Sequence, residues 1–249
     1  MFPYARPNVS CDTSMEWGLY LNQSVKHLPP MLSRLIDFIF PKLCVLCDRT
    51  DTFICPKCLR TLKKGKQRCP ACGKASLDGF VHAGCRRPLG LDGLTLLYSY
   101  KNKQAKQVIK AIKYQFLPGV IDVVVKIRTL PLETDMITFV PLHWRRQNWR
   151  GFNQAEKLAE RLGRLTNMPV ANTLTRTRYT TPLAATVRSA KERRKEIKAA
   201  FTLNSGSGVK GKKVVLVDDV FTSGATMLEA AKVLKRSGAN LVWGWALAG

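Results

Sequence analysis

The stretch VVLVDDVFTSGATM, residues 214–227, places four apolar residues before two adjacent carboxylates and a run of small residues. An apolar run of this length, bounded by a glycine-containing turn, predicts a buried β-strand. Apolar residues at helical spacing begin at Met227, so the strand is expected to pass through the turn into a helix. Asp218 and Asp219 then lie at the carboxyl end of the strand, where open parallel sheets bind their ligands.

The turn after the carboxylates predicts an anion site. Small residues let backbone N–H groups close around phosphate oxygens, hydroxyls add donors, and the helix N-terminus contributes the positive end of its dipole. Two adjacent carboxylates beside such a loop suit a pair of hydroxyl groups, as on a ribose. The alternative is an ordinary strand-to-helix turn, which rarely needs two carboxylates. The predicted binding residues of the loop are Thr222, Ser223, Gly224, Ala225 and Thr226.

From residue 91 onward, apolar runs alternate with amphipathic stretches. Strands are predicted at 94–100, 136–142, 212–219 and 240–248, and helices at 105–112, 155–162 and 227–234. Strands that alternate with helices imply a mostly parallel sheet flanked by helices on both faces. The predicted fold class is therefore α/β, with residues 91–249 as one domain.

Residues 42–90 hold seven of the eight cysteines and few large apolar side chains. Three pairs follow the spacing Cys-x-x-Cys, and a His-x-x-Cys pair repeats it. This gap lets one turn aim two side chains at a tetrahedral centre, and thiolate and imidazole suit zinc. Two structural zinc ions are expected, and the predicted ligands are Cys44, Cys47, Cys55, Cys58, Cys69, Cys72, His82 and Cys85.

Several alternatives stay open for these pairs. His82 alone would more often be a solvated loop histidine, and only its register with Cys85 favours ligation. The spacing does not decide whether each site forms from neighbouring pairs or from alternating pairs. A redox function is less favoured, because thioredoxin-like chemistry uses one pair at a helix start.

Residues 1–30 show no clear periodicity and are predicted to be a poorly structured extension. Helical spacing begins at Met31, which we expect to be the natural start, so that a leading helix and the zinc module occupy residues 31–90. The sequence contains no uninterrupted span of about 18 apolar residues, so no membrane-spanning helix is predicted. The N-terminus also lacks the pattern of a secretory signal, so a cytoplasmic protein is expected.

The charge favours polyanionic partners. The chain has 41 Lys and Arg against 17 Asp and Glu, a net charge of +24. Such a balance suits nucleic acid, an acidic membrane surface or phosphorylated metabolites. Basic residues cluster at 60–74, 101–113, 145–150 and 188–198. Each cluster alone would usually be a solvated surface.

Two features favour nucleic acid among these partners. Lys106, Lys110 and Lys113 share one helix face, and this positive stripe is expected to follow a phosphate backbone. Three aromatic residues lie among the basic ones: Trp144, Trp149 and Phe152. We expect them to stack on unpaired bases.

The stretch at 214–227 resembles the signature of the type I phosphoribosyltransferases: an apolar strand, two acidic residues and a Thr/Ser-Gly-x-Thr loop. The resemblance implies that Asp218 and Asp219 hold the ribose 2- and 3-hydroxyls of phosphoribosyl pyrophosphate. It implies that residues 222–226 cradle the 5-phosphate and that Mg²⁺ accompanies the pyrophosphate. The reaction of such an enzyme is displacement of pyrophosphate at ribose C1.

The cysteine pairs together with PLHWRRQNWRGFNQAEKLAERL (141–162), RTRYTTPL (176–183) and ERRKEIKAAF (192–201) look like the ComF family of competence proteins. The resemblance covers residues 31–249 and implies a zinc module followed by a phosphoribosyltransferase domain. It also implies that Arg145, Arg146 and Arg150 lie near the pyrophosphate, which guanidinium groups pair with well. Leu183 and Glu196 depart from the family's mobile loop, whereas Arg193 and Phe201 keep their places.

Two functions follow from these resemblances. In one, the protein is a competence factor that acts on imported single-stranded DNA, with a DNA translocase or a recombination mediator as a candidate partner. In the other, it is an active phosphoribosyltransferase with an unidentified acceptor. No general base stands out, and the nearest candidates are Glu156 and His143.

Overall fold

The computed structural model describes residues 41–87, 90–114, 117–125, 134–180 and 189–249. The predicted extension and the predicted leading helix, which ends before Pro41, lie outside these residues, as does Leu183. The domain boundaries at residues 30 and 90 stay predictions. Within the described residues, no helix is both long enough and apolar enough to cross a membrane.

The described residues form a four-stranded parallel sheet. Its strands are β1 (Gly93–Tyr98), β2 (Met136–Phe139), β5 (Lys213–Val220) and β6 (Leu241–Ala248). Their order is β1-β6-β5-β2, so the strand that carries the two carboxylates lies inside the sheet. These strands confirm the four strands predicted from apolar runs.

Helices cover both faces of this sheet because successive side chains of a strand point to opposite faces. Val215 and Val217 of β5 pack in one apolar cluster, with residues of α2 (Lys103–Tyr114), α3 (Pro118–Val124) and α5 (Gln154–Thr166). Val214 and Leu216 pack in the other, with residues of α6 (Ala190–Ile197) and α7 (Ala225–Arg236). Helices α2, α5 and α7 confirm the helices predicted from apolar spacing.

Some elements were not predicted from the sequence. Strands β3 (Leu174–Arg176) and β4 (Phe201–Leu203) pair antiparallel outside the main sheet. Helix α4 (Trp144–Arg150) has no buried residue. Three-residue strands and a helix without an apolar face carry too little periodicity to be recognised.

The cysteine-rich module contains the short helix α1 (Pro56–Arg60) and is joined to the edge of the sheet at β1. The Gln67 amide donates to the Leu96 carbonyl at 2.9 Å and accepts from the Leu96 N–H at 3.1 Å. The Gly65 N–H donates to the Leu97 carbonyl at 3.0 Å. A Cβ at Gly65 would lie 2.7 Å from the Leu96 oxygen, so this close approach requires glycine.

Candidate functional site

The first cysteine cluster brings together two neighbouring pairs. The ligand atoms of Cys44, Cys47, Cys55 and Cys58 all lie within 4.8 Å of one another. The sulfurs of Cys47 and Cys55 are 3.7 Å apart, close to the separation of about 3.8 Å that tetrahedral bonds of ~2.3 Å require. A hydrogen bond from the Cys58 N–H lowers the pKa of Cys55 to about 7, as suits a thiolate ligand. The cluster fits zinc.

The second cluster brings together Cys69, Cys72, His82 and Cys85, again within 4.8 Å. His82 Nδ1 lies 3.4 Å from the Cys72 sulfur, and Nε2 lies 3.0 Å from the Ala75 carbonyl. A proton on Nε2 that is donated to this carbonyl leaves Nδ1 free to bind a metal. The geometry therefore favours His82 as a ligand over a solvated loop histidine. Neighbouring pairs, rather than alternating pairs, form both clusters.

The loop after β5 has the shape expected of an anion site. Gly224 is left-handed at φ 70° and precedes the first residue of α7. The first hydrogen bond of α7 runs from the Leu228 N–H to the Gly224 carbonyl at 2.8 Å, so the N–H groups of residues 225–227 lie outside the helical pattern. Residues 222–227 line a cavity of about 350 Å³.

Asp218 and Asp219 line the same cavity. The Asp219 N–H donates to Asp218 Oδ1 at 2.8 Å, and Asp219 Oδ2 lies 2.7 Å from Lys113 Nζ. Burial and the negative charge of Asp219 raise the pKa of Asp218 to about 8. The pair therefore holds a proton at neutral pH, and two hydroxyls or a cation near Asp218 would favour its release.

The three predicted arginines separate into two groups. Arg146 and Arg150 line the cavity. Arg145 lies on the exposed face of α4, with its guanidinium 5.3 Å from the Trp144 ring and 5.8 Å from the Tyr179 ring.

Three residues that line the cavity carry buried N–H donors with no hydrogen-bond partner among the described residues. They are Arg150 Nε, Gln154 Nε2 and Arg176 Nε. Buried donors are costly when unpaired, and a ligand rich in oxygen atoms would offer acceptors here. Arg176 is 7% exposed, and burial and the charge of Arg146 lower its pKa to about 10.

Sequence reasoning missed Lys113, Gln154 and Arg176 as cavity residues. The expectation that Lys113 continues the exposed stripe of Lys106 and Lys110 is wrong, because its ammonium is paired with Asp219. Arg176 ends β3, whose three residues are too few to show a periodicity, so no pattern in the sequence indicated that its side chain is buried. Nothing in the sequence distinguishes Gln154 from other helix residues.

Exposed aromatic side chains lie beside the cavity arginines. Arg150 lies 5.4 Å from the Tyr114 ring and 6.0 Å from the Trp149 ring. We call Tyr114, Trp144, Trp149 and Tyr179, each at least 49% exposed, the aromatic rim. The expectation that Phe152 joins such a surface is wrong, because Phe152 is 8% exposed and packs inward.

Neither candidate base occupies the cavity lining. His143 is buried and caps α4, where its ring accepts a hydrogen bond from the Arg145 N–H at 3.3 Å. Burial and the nearby arginines lower the pKa of His143. Glu156 lies in the first turn of α5. His143 therefore acts as a structural cap in this geometry.

Two family models match separate parts of the chain. The double zinc ribbon domain matches residues 35–87, and the phosphoribosyl transferase domain matches residues 149–243. The first match and the two clusters support structural zinc.

The proteins that are similar to the chain include two curated proteins and one solved structure. DNA utilization protein YhgH of Escherichia coli O157:H7 is 33% identical over 231 residues, which cover 83% of this chain and 96% of that protein. Competence protein ComFC of Bacillus subtilis is 26% identical over 229 residues, 79% of this chain and 90% of that protein. The structure of glutamine phosphoribosylpyrophosphate amidotransferase from B. subtilis is 20% identical with a TM-score of 0.37, over 57% of this chain and 30% of that one.

The relationship to YhgH and ComFC extends over nearly the full length of those proteins, and the two matched domains follow in the order expected from the sequence. The chain therefore belongs to the ComF family, with a double zinc ribbon joined to a phosphoribosyltransferase-like domain.

Proposed function

We propose that this protein is a competence protein that handles single-stranded DNA in the cytoplasm during natural transformation and binds phosphoribosyl pyrophosphate with Mg²⁺. The observation that carries the ligand is the cavity of about 350 Å³, which the loop 222–226, both carboxylates and two arginines line together. The name of the relative ComFC supports the role in competence. A DNA translocase or a recombination mediator is a candidate protein partner.

Each wall of the cavity suits one part of this ligand. The small loop and the start of α7 offer N–H groups and hydroxyls to the 5-phosphate. Asp218 and Asp219 accept hydrogen bonds from the ribose hydroxyls once they are ionised. Arg146 and Arg150 face the pyrophosphate with planar donor groups. Magnesium, when bound with the ligand, neutralises part of the pyrophosphate charge.

Titration calorimetry with phosphoribosyl pyrophosphate and Mg²⁺ tests the cavity. We expect one ligand per chain, and a loss of affinity of about a hundredfold in the variant with Asp218→Asn and Asp219→Asn, whose amides cannot ionise when the ligand binds. A matched control, Asp122→Asn with Glu160→Gln, changes two surface carboxylates and should bind as the unaltered protein does. Absence of magnesium-dependent binding to the unaltered protein would refute the proposal.

The DNA part of the proposal rests on the aromatic rim. Trp149 is 72% exposed and Trp144 is 59% exposed, and the arginine side chains between the rim residues add positive charge. Exposed aromatic rings among cations are the usual platform for unpaired bases, which stack on them with little sequence preference. The rim adjoins the cavity through Tyr114, Arg146 and Arg150, which line it.

Fluorescence anisotropy with a labelled single-stranded oligonucleotide tests the rim. Trp144→Ala with Trp149→Ala should weaken binding at least about tenfold, from ~1–3 kcal/mol per stacked base. The slope of affinity against salt should stay unchanged, because no cation is removed. Leu77→Ala, which removes an apolar side chain that is 84% exposed in the zinc module, is the control. Unchanged affinity in the double tryptophan variant would exclude the aromatic rim as the binding surface and would assign DNA binding to the basic surfaces instead.

The alternative function is transfer of phosphoribose to an acceptor. A transferase releases pyrophosphate, whereas a binding protein does not. Pyrophosphate release should therefore be measured with a panel of purine and pyrimidine bases, with the Asp218→Asn and Asp219→Asn variant as the blank. Release above this blank would establish the enzyme, and release equal to it with intact binding would support the binding protein.

A further inference from the structure

An arginine of the zinc module contacts the loop of the phosphoribosyltransferase-like domain. Arg68 Nη2 donates to the Phe221 carbonyl at 2.9 Å, across 153 residues of sequence. The same guanidinium lies over the Phe221 ring, with Cζ 5.6 Å from the ring centroid. Arg68 therefore holds both the backbone and the side chain of one residue, through a charge-assisted hydrogen bond and a cation–π contact.

Phe221 supports the turn that forms the anion site. Phe221 is 5% exposed, and its ring fills the space where a Cβ on Gly224 would stand, 2.4 Å from Cζ. Its N–H donates to the Ala248 carbonyl of β6 at 2.8 Å. A shift of this ring would therefore move Gly224 and the first N–H groups of α7.

The backbone of Arg68 is part of the turn that carries two ligands of the second cluster. Arg68 directly precedes the ligand Cys69, and it forms an antiparallel bridge with Ala75. The Cys69 N–H donates to the Lys74 carbonyl at 2.9 Å, and the Gly73 N–H donates to the Cys69 carbonyl at 2.9 Å. A metal that joins Cys69 to Cys72 would keep this turn closed and hold Arg68 at a fixed position.

We propose that Arg68 is a positioning residue that couples the second zinc site to the geometry of the phosphate loop, so that zinc at Cys69 and Cys72 prepares the loop for its ligand. The coupling concerns the same cavity as the proposed binding of phosphoribosyl pyrophosphate and rests on that function for its ligand. Its physical content is that loss of either the guanidinium or the second zinc loosens residues 221–226.

The test compares three variants by calorimetry and by hydrogen exchange. Arg68→Ala should retain two zinc ions, bind phosphoribosyl pyrophosphate with Mg²⁺ about tenfold more weakly, and exchange the amides of residues 221–226 faster. Arg68→Lys keeps the charge without the planar group, so its affinity and its loop exchange should lie between those of the unaltered protein and those of Arg68→Ala. Arg86→Ala removes an exposed arginine beside Cys85, a ligand of the same cluster, and should match the unaltered protein.

Zinc removal completes the comparison. A zinc-selective chelator, with Mg²⁺ kept in excess, should weaken ligand binding and speed loop exchange in the unaltered protein but add little in Arg68→Ala, because both act through one contact. If zinc has a structural role alone, its removal should weaken ligand binding equally in the unaltered protein and in Arg68→Ala, and this result would overturn the coupling. Unchanged loop exchange in Arg68→Ala would also overturn it. If the unaltered protein binds no phosphoribosyl pyrophosphate, the proposed function fails, while loop exchange still decides the coupling.

Discussion

Lys113 Nζ lies 2.7 Å from Asp219 Oδ2, and both side chains line the cavity beneath the phosphate loop. Burial is the largest single effect on the pKa of Lys113 and lowers it, but the charge and hydrogen bond of Asp219, together with the charge of Asp218, outweigh burial and raise the pKa. The ammonium thus neutralises one of two adjacent carboxylates that lie at the end of a buried strand. The ion pair explains how the fold tolerates these carboxylates in the absence of ligand.

Lys113→Gln should therefore destabilise the protein. The change leaves Asp219 without its cation, and we expect a loss of about 1–2 kcal/mol for this partly exposed pair. Mg²⁺ should restore more stability in the variant than in the unaltered protein, because a cation near the carboxylates replaces the lost charge. Thermal unfolding with and without Mg²⁺ measures both effects. Lys110→Gln, an exposed lysine of the same helix, should change neither, and equal effects in the two variants would contradict this role.

Binding of phosphoribosyl pyrophosphate should strengthen with pH. The pKa of Asp218 is about 8, raised by burial and by Asp219 from its ordinary 3.8. The native carboxyl keeps a proton that the unfolded chain has lost, so its contribution to stability falls as the pH rises between these two values.

A ligand that needs the ionised carboxylate must first remove this proton. Affinity should rise about tenfold per pH unit up to about pH 8 and level off above it. Calorimetry across this range measures the slope. Asp218→Asn should bind weakly and lose that slope, while titration of the ligand's own phosphates would persist in it. An unchanged slope in the variant would assign the pH dependence to the ligand.

Gly224→Ala should disrupt the phosphate loop. The residue is left-handed at φ 70°, and an added Cβ would lie 2.4 Å from the Phe221 ring. We expect a loss of about 2–4 kcal/mol, from backbone strain and overpacking together, with loss of ligand binding. Gly208 has a similar φ of 64° and open space around its Cβ position, so Gly208→Ala should lose only about 1–2 kcal/mol. Urea unfolding measures the free energy of unfolding of both variants. Equal losses of stability would show that the Phe221 contact is unimportant.

Metal content should follow the two clusters. The unaltered protein should contain two zinc ions per chain by mass spectrometry of the metal. His82→Ala should lose one ion, and His82→Cys should keep both, because a thiolate replaces the imidazole. Cys11→Ser is the control and should keep both ions, since Cys11 has no partner at ligand spacing. If His82→Ala still contains two zinc ions, His82 is a solvated loop histidine and not a ligand.

Much of the fold follows from local pattern. The run at 214–217 has no polar side chain, so it forms a strand only if both its faces are covered, and the parallel sheet provides this cover. The Cys-x-x-Cys spacing likewise identifies a metal module by itself. The elements without periodicity, β3, β4 and α4, could not be read in this way.

The sequence by itself determined that two carboxylates end a buried strand, that small residues follow them, and that paired cysteines occupy the first half of the chain. Only the tertiary structure decided which distant residues meet there: Lys113 turns to Asp219, Phe152 packs inward, and Arg68 reaches Phe221. Periodicity tells which face of an element is apolar, since that depends on neighbours within a few residues. The partner of a charged side chain depends on strand order and helix placement, which bring together residues far apart in the chain.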